Sequence, residues 1–123
     1  MMMRPLLLLM LACAQAHAQS KPVTEFPAGA APLSAQALKE RFTGARYAFT
    51  GANGAEITLQ FRETDATIGS PRGSDTGPWT IEGSAICFKL TKFPSGCNEV
   101  RLVGTDLYWE RNSNGEVVKL YRP

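Results

Sequence analysis

WTIEGSAICFKLTKFPSGCNEVRLVGTDLYW (Trp79–Trp109) is the stretch that decides the fold. In an antiparallel hairpin, directly paired residues point to the same face, so the length of each turn decides which side chains meet. A two-residue Gly83-Ser84 turn with glycine first pairs Ile81 with Ile86 and Trp79 with Phe88. Gly104-Thr105 is a turn of the same kind and pairs Leu102 with Leu107 and Val100 with Trp109. Apolar meets apolar at every one of these positions.

The same test extends in both directions. An Asn114-Gly115 turn pairs Trp109 with Leu120, and a four-residue loop there pairs it with Val118 and leaves the face unchanged. Between Phe61 and Ile68, a turn at Thr64-Asp65 again sets apolar against apolar. A two-residue Asn53-Gly54 turn would waste Tyr47 and Phe49. A three-residue loop, Ala52-Asn53-Gly54 with Gly54 in the bulge position, pairs Phe49 with Ile57 and Tyr47 with Leu59. Burial of two aromatic rings, at about 25 cal/mol per Å², outweighs any turn preference.

The resulting expectation is eight strands, at 46–51, 56–63, 66–70, 78–82, 85–90, 97–103, 106–111 and 116–122. One face is oily, running from Tyr47 and Phe49 through Trp79 and Phe88 to Trp109 and Leu120. The other is charged, with Arg46, Gln60, Arg62, Lys89, Glu99 and Lys119 among its residues. A meander with one unbroken apolar face must close on itself or fold into two facing layers. An eight-stranded barrel has an interior that side chains can just fill, with a helix to plug one end, so the expectation is a mainly β, eight-stranded, up-and-down, closed or nearly closed barrel rather than a sandwich. Six of the aromatic residues (Tyr47, Phe49, Phe61, Trp79, Phe88, Trp109) point inward and are expected to fill the interior.

Before the strands, Ser34 is placed to cap a short helix. Leu33 and Leu38 are spaced as a hydrophobic staple, Leu38 and Phe42 share a face, and Gly44 can end the helix. Gln19–Pro32 holds three prolines and no apolar period, so it reads as a disordered leader. Residues 1–18 read as a signal peptide: Arg4, the apolar run Leu6–Ala12, and the small–x–small pattern Ala16-His17-Ala18. That run is shorter than the roughly 20 residues needed to cross a bilayer, so no transmembrane segment is expected. The second reading of this region is lipid attachment at Cys13, but Met10 occupies the position where such motifs usually carry leucine. The expected location is therefore periplasmic or secreted, with the folded domain at 33–123.

Cleavage changes the chemistry. Taking 18 residues from 123 leaves 105 and removes the one histidine, Cys13 and Arg4, so the charge falls from +2 to +1. Cys87 and Cys97 then remain as an even pair in an oxidising compartment and are expected to form a disulfide. They share the parity of the polar face, so the bridge would staple the hairpin from outside. They lack the short Cys-x-x-Cys spacing of a redox pair. Without a mature histidine, Ser–His, Cys–His and histidine–zinc arrangements are excluded. No glycine-rich phosphate loop precedes a helix. The near-neutral charge argues against a nucleic-acid binder. No enzymatic activity, cofactor or metal is expected.

Gly73-Ser74-Asp75-Thr76-Gly77, then Trp79, Gly83, Cys87 and Cys97, resemble an uncharacterised family of small exported bacterial β-rich proteins. That family has a Leu-Thr/Ser-x-x-x-Leu helix near its start, to which Leu33–Leu38 is similar. It also has a Ser-Asp-x-Gly-x-Trp stretch, which Ser74–Trp79 matches with Pro78 as one extra residue. The resemblance implies an envelope location and a β-rich domain, and it brings no catalytic residue with it.

Two binding readings follow. In the first, the protein is a non-catalytic interaction or structural module. Its Ser70–Gly77 loop and neighbouring rim would contact another envelope or secreted protein through Arg72, Asp75 and Phe93. In the second, the barrel is a lipocalin-like carrier of a small apolar ligand. A cavity of roughly 300 Å³ or more would favour the second.

Overall fold

The computed structural model describes residues 21–123. The expected signal peptide, its expected cleavage site and Cys13 lie outside the described residues. The elements are β1 (Ala31–Pro32), α1 (Ala35–Phe42), β2 (Arg46–Thr50), β3 (Glu56–Phe61), β4 (Asp65–Ser70), β5 (Gly73–Glu82), β6 (Ala85–Phe88), β7 (Gly96–Val103), β8 (Asp106–Glu110) and β9 (Val117–Lys119). Strands β2 to β9 pair with their sequence neighbours in order and form an antiparallel meander. The ends of that meander meet where Ala48 and Tyr121 exchange two backbone hydrogen bonds, of 2.8 and 2.9 Å. The sheet is a nearly closed barrel.

The registers follow the side-chain pairing argument. Trp79 faces Phe88, Ile81 faces Ile86, Val100 faces Trp109, and Leu102 faces Leu107. The bulged turn pairs Tyr47 with Leu59 and Phe49 with Ile57. Trp109 meets Val118, as the longer of the two loops requires. The β3–β4 turn centres on Glu63-Thr64, one position earlier than expected. Phe61 therefore meets Ala66, and Ile68 meets Leu59. The ion pair between Arg62 and Asp65 flanks this turn. A turn displaced by one residue moves the register by two and keeps every side chain on its face.

Two segments depart from the expected boundaries. Strand β5 begins at Gly73 rather than 78, because Pro71-Arg72 is itself a tight turn that pairs Ser70 with Gly73. Residues 70–77 are therefore mostly strand, not a long loop. Residues 21–32, expected as a loose leader, lie along the barrel wall instead. Val117 N donates to Val23 O at 2.6 Å, Ala31 pairs with Leu102, and the Arg101 guanidinium sits 4.4 Å from the centre of the Phe26 ring. The prolines suit this role, since an edge segment loses nothing by lacking donors on its outer side.

Helix α1 starts as the sequence requires, with Ser34 Oγ accepting from Ala37 N at 3.1 Å. Gly44, at φ +75°, turns the chain out of the helix in a conformation that favours glycine. An eight-residue helix has little stability alone, and this one is held by its buried face. Leu38 and Phe42 are fully buried. The Phe42 ring contacts Tyr47, Phe61 and Trp109 at centroid distances of 5.0, 5.1 and 6.2 Å. Phe61 in turn touches Trp79 and Phe88, so the rings form one continuous cluster under the helix.

The Cys87–Cys97 disulfide joins residues directly paired across β6 and β7, with a sequence separation of 10. Closing a loop of that size constrains the unfolded chain by roughly 2.5–3 kcal/mol. Replacing both cysteines with serine should lower the unfolding free energy by that amount, measured by urea titration. Phe42→Ala should cost more, about 3–5 kcal/mol, because it empties a fully enclosed site shared by three other rings. A loss below about 1 kcal/mol would mean that Phe42 does not anchor the helix to the ring cluster.

Candidate functional site

Antiparallel succession sends alternate turns to opposite ends of the barrel. One end carries turns 62–64, 83–84 and 104–105, together with α1. The other carries segments 51–55, 71–72, 89–95 and 111–115. At this second end the interior is not filled. A cavity of about 540 Å³ opens there, over a floor that includes Leu59, Phe88 and Trp109, with Arg72, Phe93 and Arg111 also in its wall. Its size is that of a small-molecule site.

The expected full interior is thus corrected, and the reason lies in the inward-facing series of each strand. Towards the helix those positions are apolar throughout, with Tyr47, Phe61, Ile81, Ile86, Leu102 and Leu107 among them, and Phe42 adds a further ring. Towards the open end, the inward series passes from Ile68 to Ser70, from Val100 back to Asn98, and from Trp109 to Arg111. Small or polar side chains there leave the volume open.

These polar residues brace the rim. Asn98 is buried and donates from Nδ2 to Ile86 O at 3.1 Å, while its Oδ1 accepts from Asn112 N at 3.0 Å. Arg111 Nη1 lies 3.0 Å from Glu116 Oε1, and its guanidinium sits 5.2 Å from the centre of the Phe49 ring. Glu116, itself buried, accepts from Ala52 N at 2.8 Å through its second oxygen. One carboxylate therefore ties the 111–115 segment to the β2–β3 turn across the place where the barrel closes.

Of the three residues expected to bind, two reach the cavity. Arg72 stands exposed at the β4–β5 turn, and Phe93 projects from the 89–95 segment. Asp75 does not line the cavity and is not an exposed contact: it is buried. Its Oδ2 accepts from the backbone N–H groups of Thr91, Lys92 and Phe93 at 3.0, 2.6 and 3.0 Å. Its Oδ1 accepts from Thr91 Oγ1 at 3.3 Å. Asp75 thus positions the segment that presents Phe93. The backbone donors of Phe93, then Lys92, hold its carboxyl below the ordinary value of 3.8, with burial opposing them. Gly77 permits the close approach, since a Cβ there would come within 2.0 Å of Lys89 O.

Arg111 and Asn98 were not among the expected binding residues, although a signal existed. Both fall on inward-facing positions, where a polar side chain contradicts the apolar rule and marks the mouth. Near the disulfide, Glu82 lies 3.5 and 3.7 Å from the sulfurs of Cys97 and Cys87. Those sulfurs are bonded to each other and are not thiolate donors, so this cluster is not a metal centre. Among the described residues, no helix is long and apolar enough to cross a membrane. No protein-family model, curated protein or solved structure matches this chain.

The Asp75 clamp has a pH signature. A carboxyl with a folded-state pKa below its unfolded value stabilises the fold above the unfolded pKa. That stability is lost as pH falls through the folded pKa. Asp75→Asn should therefore lower Tm at pH 7, by an amount on the order of 10 °C, and should flatten the acid limb of the stability curve below about pH 4. Thermal melts of both proteins between pH 2 and 7 check this. Parallel acid limbs would show that the clamp carries none of the acid sensitivity.

Proposed function

We propose that the protein is an exported, non-catalytic binding protein that holds a small apolar or amphipathic molecule in the open end of its barrel. The observation that carries this reading is the cavity of about 540 Å³ with Phe88 and Trp109 in its wall. Apolar cavities of this size with a few polar groups at the margin are the usual form of small-molecule sites. Among the described residues, the wall contributes no carboxylate, histidine or thiol, and so offers neither a general base nor an activated nucleophile. Export rests on the Ala16-His17-Ala18 pattern and is supported by the disulfide, a bond that persists in oxidising compartments.

The interaction-module reading calls for a filled interior beside an exposed apolar rim. The large exposed apolar side chains among the described residues are Val23 and Tyr121, and neither lines the cavity. The carrier reading is therefore the stronger of the two.

Native mass spectrometry of the protein isolated from the cells that export it tests this reading. The wild-type protein should carry an added mass in the small-molecule range. Ala55→Trp, which places a ring in the cavity wall at a half-exposed position, should retain less than about one-tenth of it with a similar Tm. Equal occupancy in the two proteins, or a bare wild-type protein, would count against a carrier.

A further inference from the structure

The charged side chains that line the cavity are of one sign. Arg72 and Arg111 both line it, and no acidic residue does. The two arginines are not equivalent. Arg111 is neutralised from behind by Glu116 and held against the Phe49 ring, so it acts as a fixed part of the wall. Arg72 is exposed at the tip of a tight turn and has no carboxylate within ion-pair distance among the described residues. The turn itself is ordered, because Ser70 Oγ accepts from Arg72 N at 3.1 Å and donates to Gly73 O at 3.3 Å.

An apolar cavity with one uncompensated guanidinium at its mouth complements a molecule with an apolar body and one negative charge. The body replaces water against Phe88 and Trp109. The head gains charge-assisted hydrogen bonds from a planar fork suited to carboxylate, sulfate or phosphate oxygens. Building on the carrier reading, we infer that the cavity binds an amphipathic monoanion, its apolar body on the Phe88–Trp109 floor and its oxyanion head on Arg72.

Decanoate and 1-decanol test this, because they share a chain and differ in the head. Trp109 lies on the cavity wall, so tryptophan fluorescence reports binding of either, titrated below the concentration at which the probe aggregates. At low salt and pH 7 decanoate should bind about tenfold more tightly than decanol, and the gap should narrow at high salt. Arg72→Gln should bring decanoate to the affinity of decanol and leave decanol unchanged, while Arg72→Lys should keep part of the preference. Equal affinities in the wild-type protein would overturn the anion assignment and leave the carrier reading standing. A preference that survives in Arg72→Gln would overturn the role of Arg72. If neither probe binds, both the anion inference and the carrier reading fail.

Discussion

Phe42 enters the barrel from the helix and is the point from which its interior is organised. A closed meander of eight short strands has room for a limited number of large side chains. By joining Tyr47, Phe61 and Trp109, Phe42 fills the interior from the helix end. Helix placement, barrel closure and the vacancy at the far end are then parts of one packing solution. Close packing under the helix gives the fold its stability, and the other end is left to the four segments that frame the mouth.

At the mouth, three buried polar residues hold the segments in place. Asp75 gathers three successive backbone N–H groups of the 91–93 segment, Asn98 links β6 to Asn112, and Glu116 links Arg111 to Ala52. Each carries its own hydrogen-bond partners, which makes its burial tolerable. The mouth is thereby ordered without being filled. An ordered, unfilled site binds without first spending free energy on arranging its own loops.

Much of this architecture was legible in the chain because hairpin pairing is a strict test. Trp79 with Phe88 and Val100 with Trp109 follow from turn length and the two-residue period alone. At Thr64-Asp65 the observed pairing differs from the expected one by a two-residue register shift, to which the apolar pattern is blind. The start of β5 was hidden because Gly73 and Gly77 look like loop residues. Both are there for other reasons: Gly73 closes a tight turn at φ +129°, and Gly77 makes room for Lys89 O. The role of Asp75 was illegible, since its partners are backbone amides 16 to 18 positions away that carry no side-chain signature. The cavity was illegible for a related reason. Counting inward rings gives a total volume but not its distribution along the axis, and Phe42, from outside the strands, changed that distribution.

The seam between β2 and β9 differs in kind from the other contacts between neighbouring strands. Seven strand pairs are zipped by continuous ladders, whereas here a single bridge of two backbone hydrogen bonds is backed by side chains. Glu116 reaches Ala52 N, and the Tyr121 hydroxyl donates to Glu56 at 2.9 Å. The barrel is fastened there by a single clasp rather than by a ladder. An unclasped molecule would present two raw strand edges and an oily lining, the ingredients of strand exchange between copies. Glu116, which bonds Ala52 N from beside Arg111, helps to keep those edges covered.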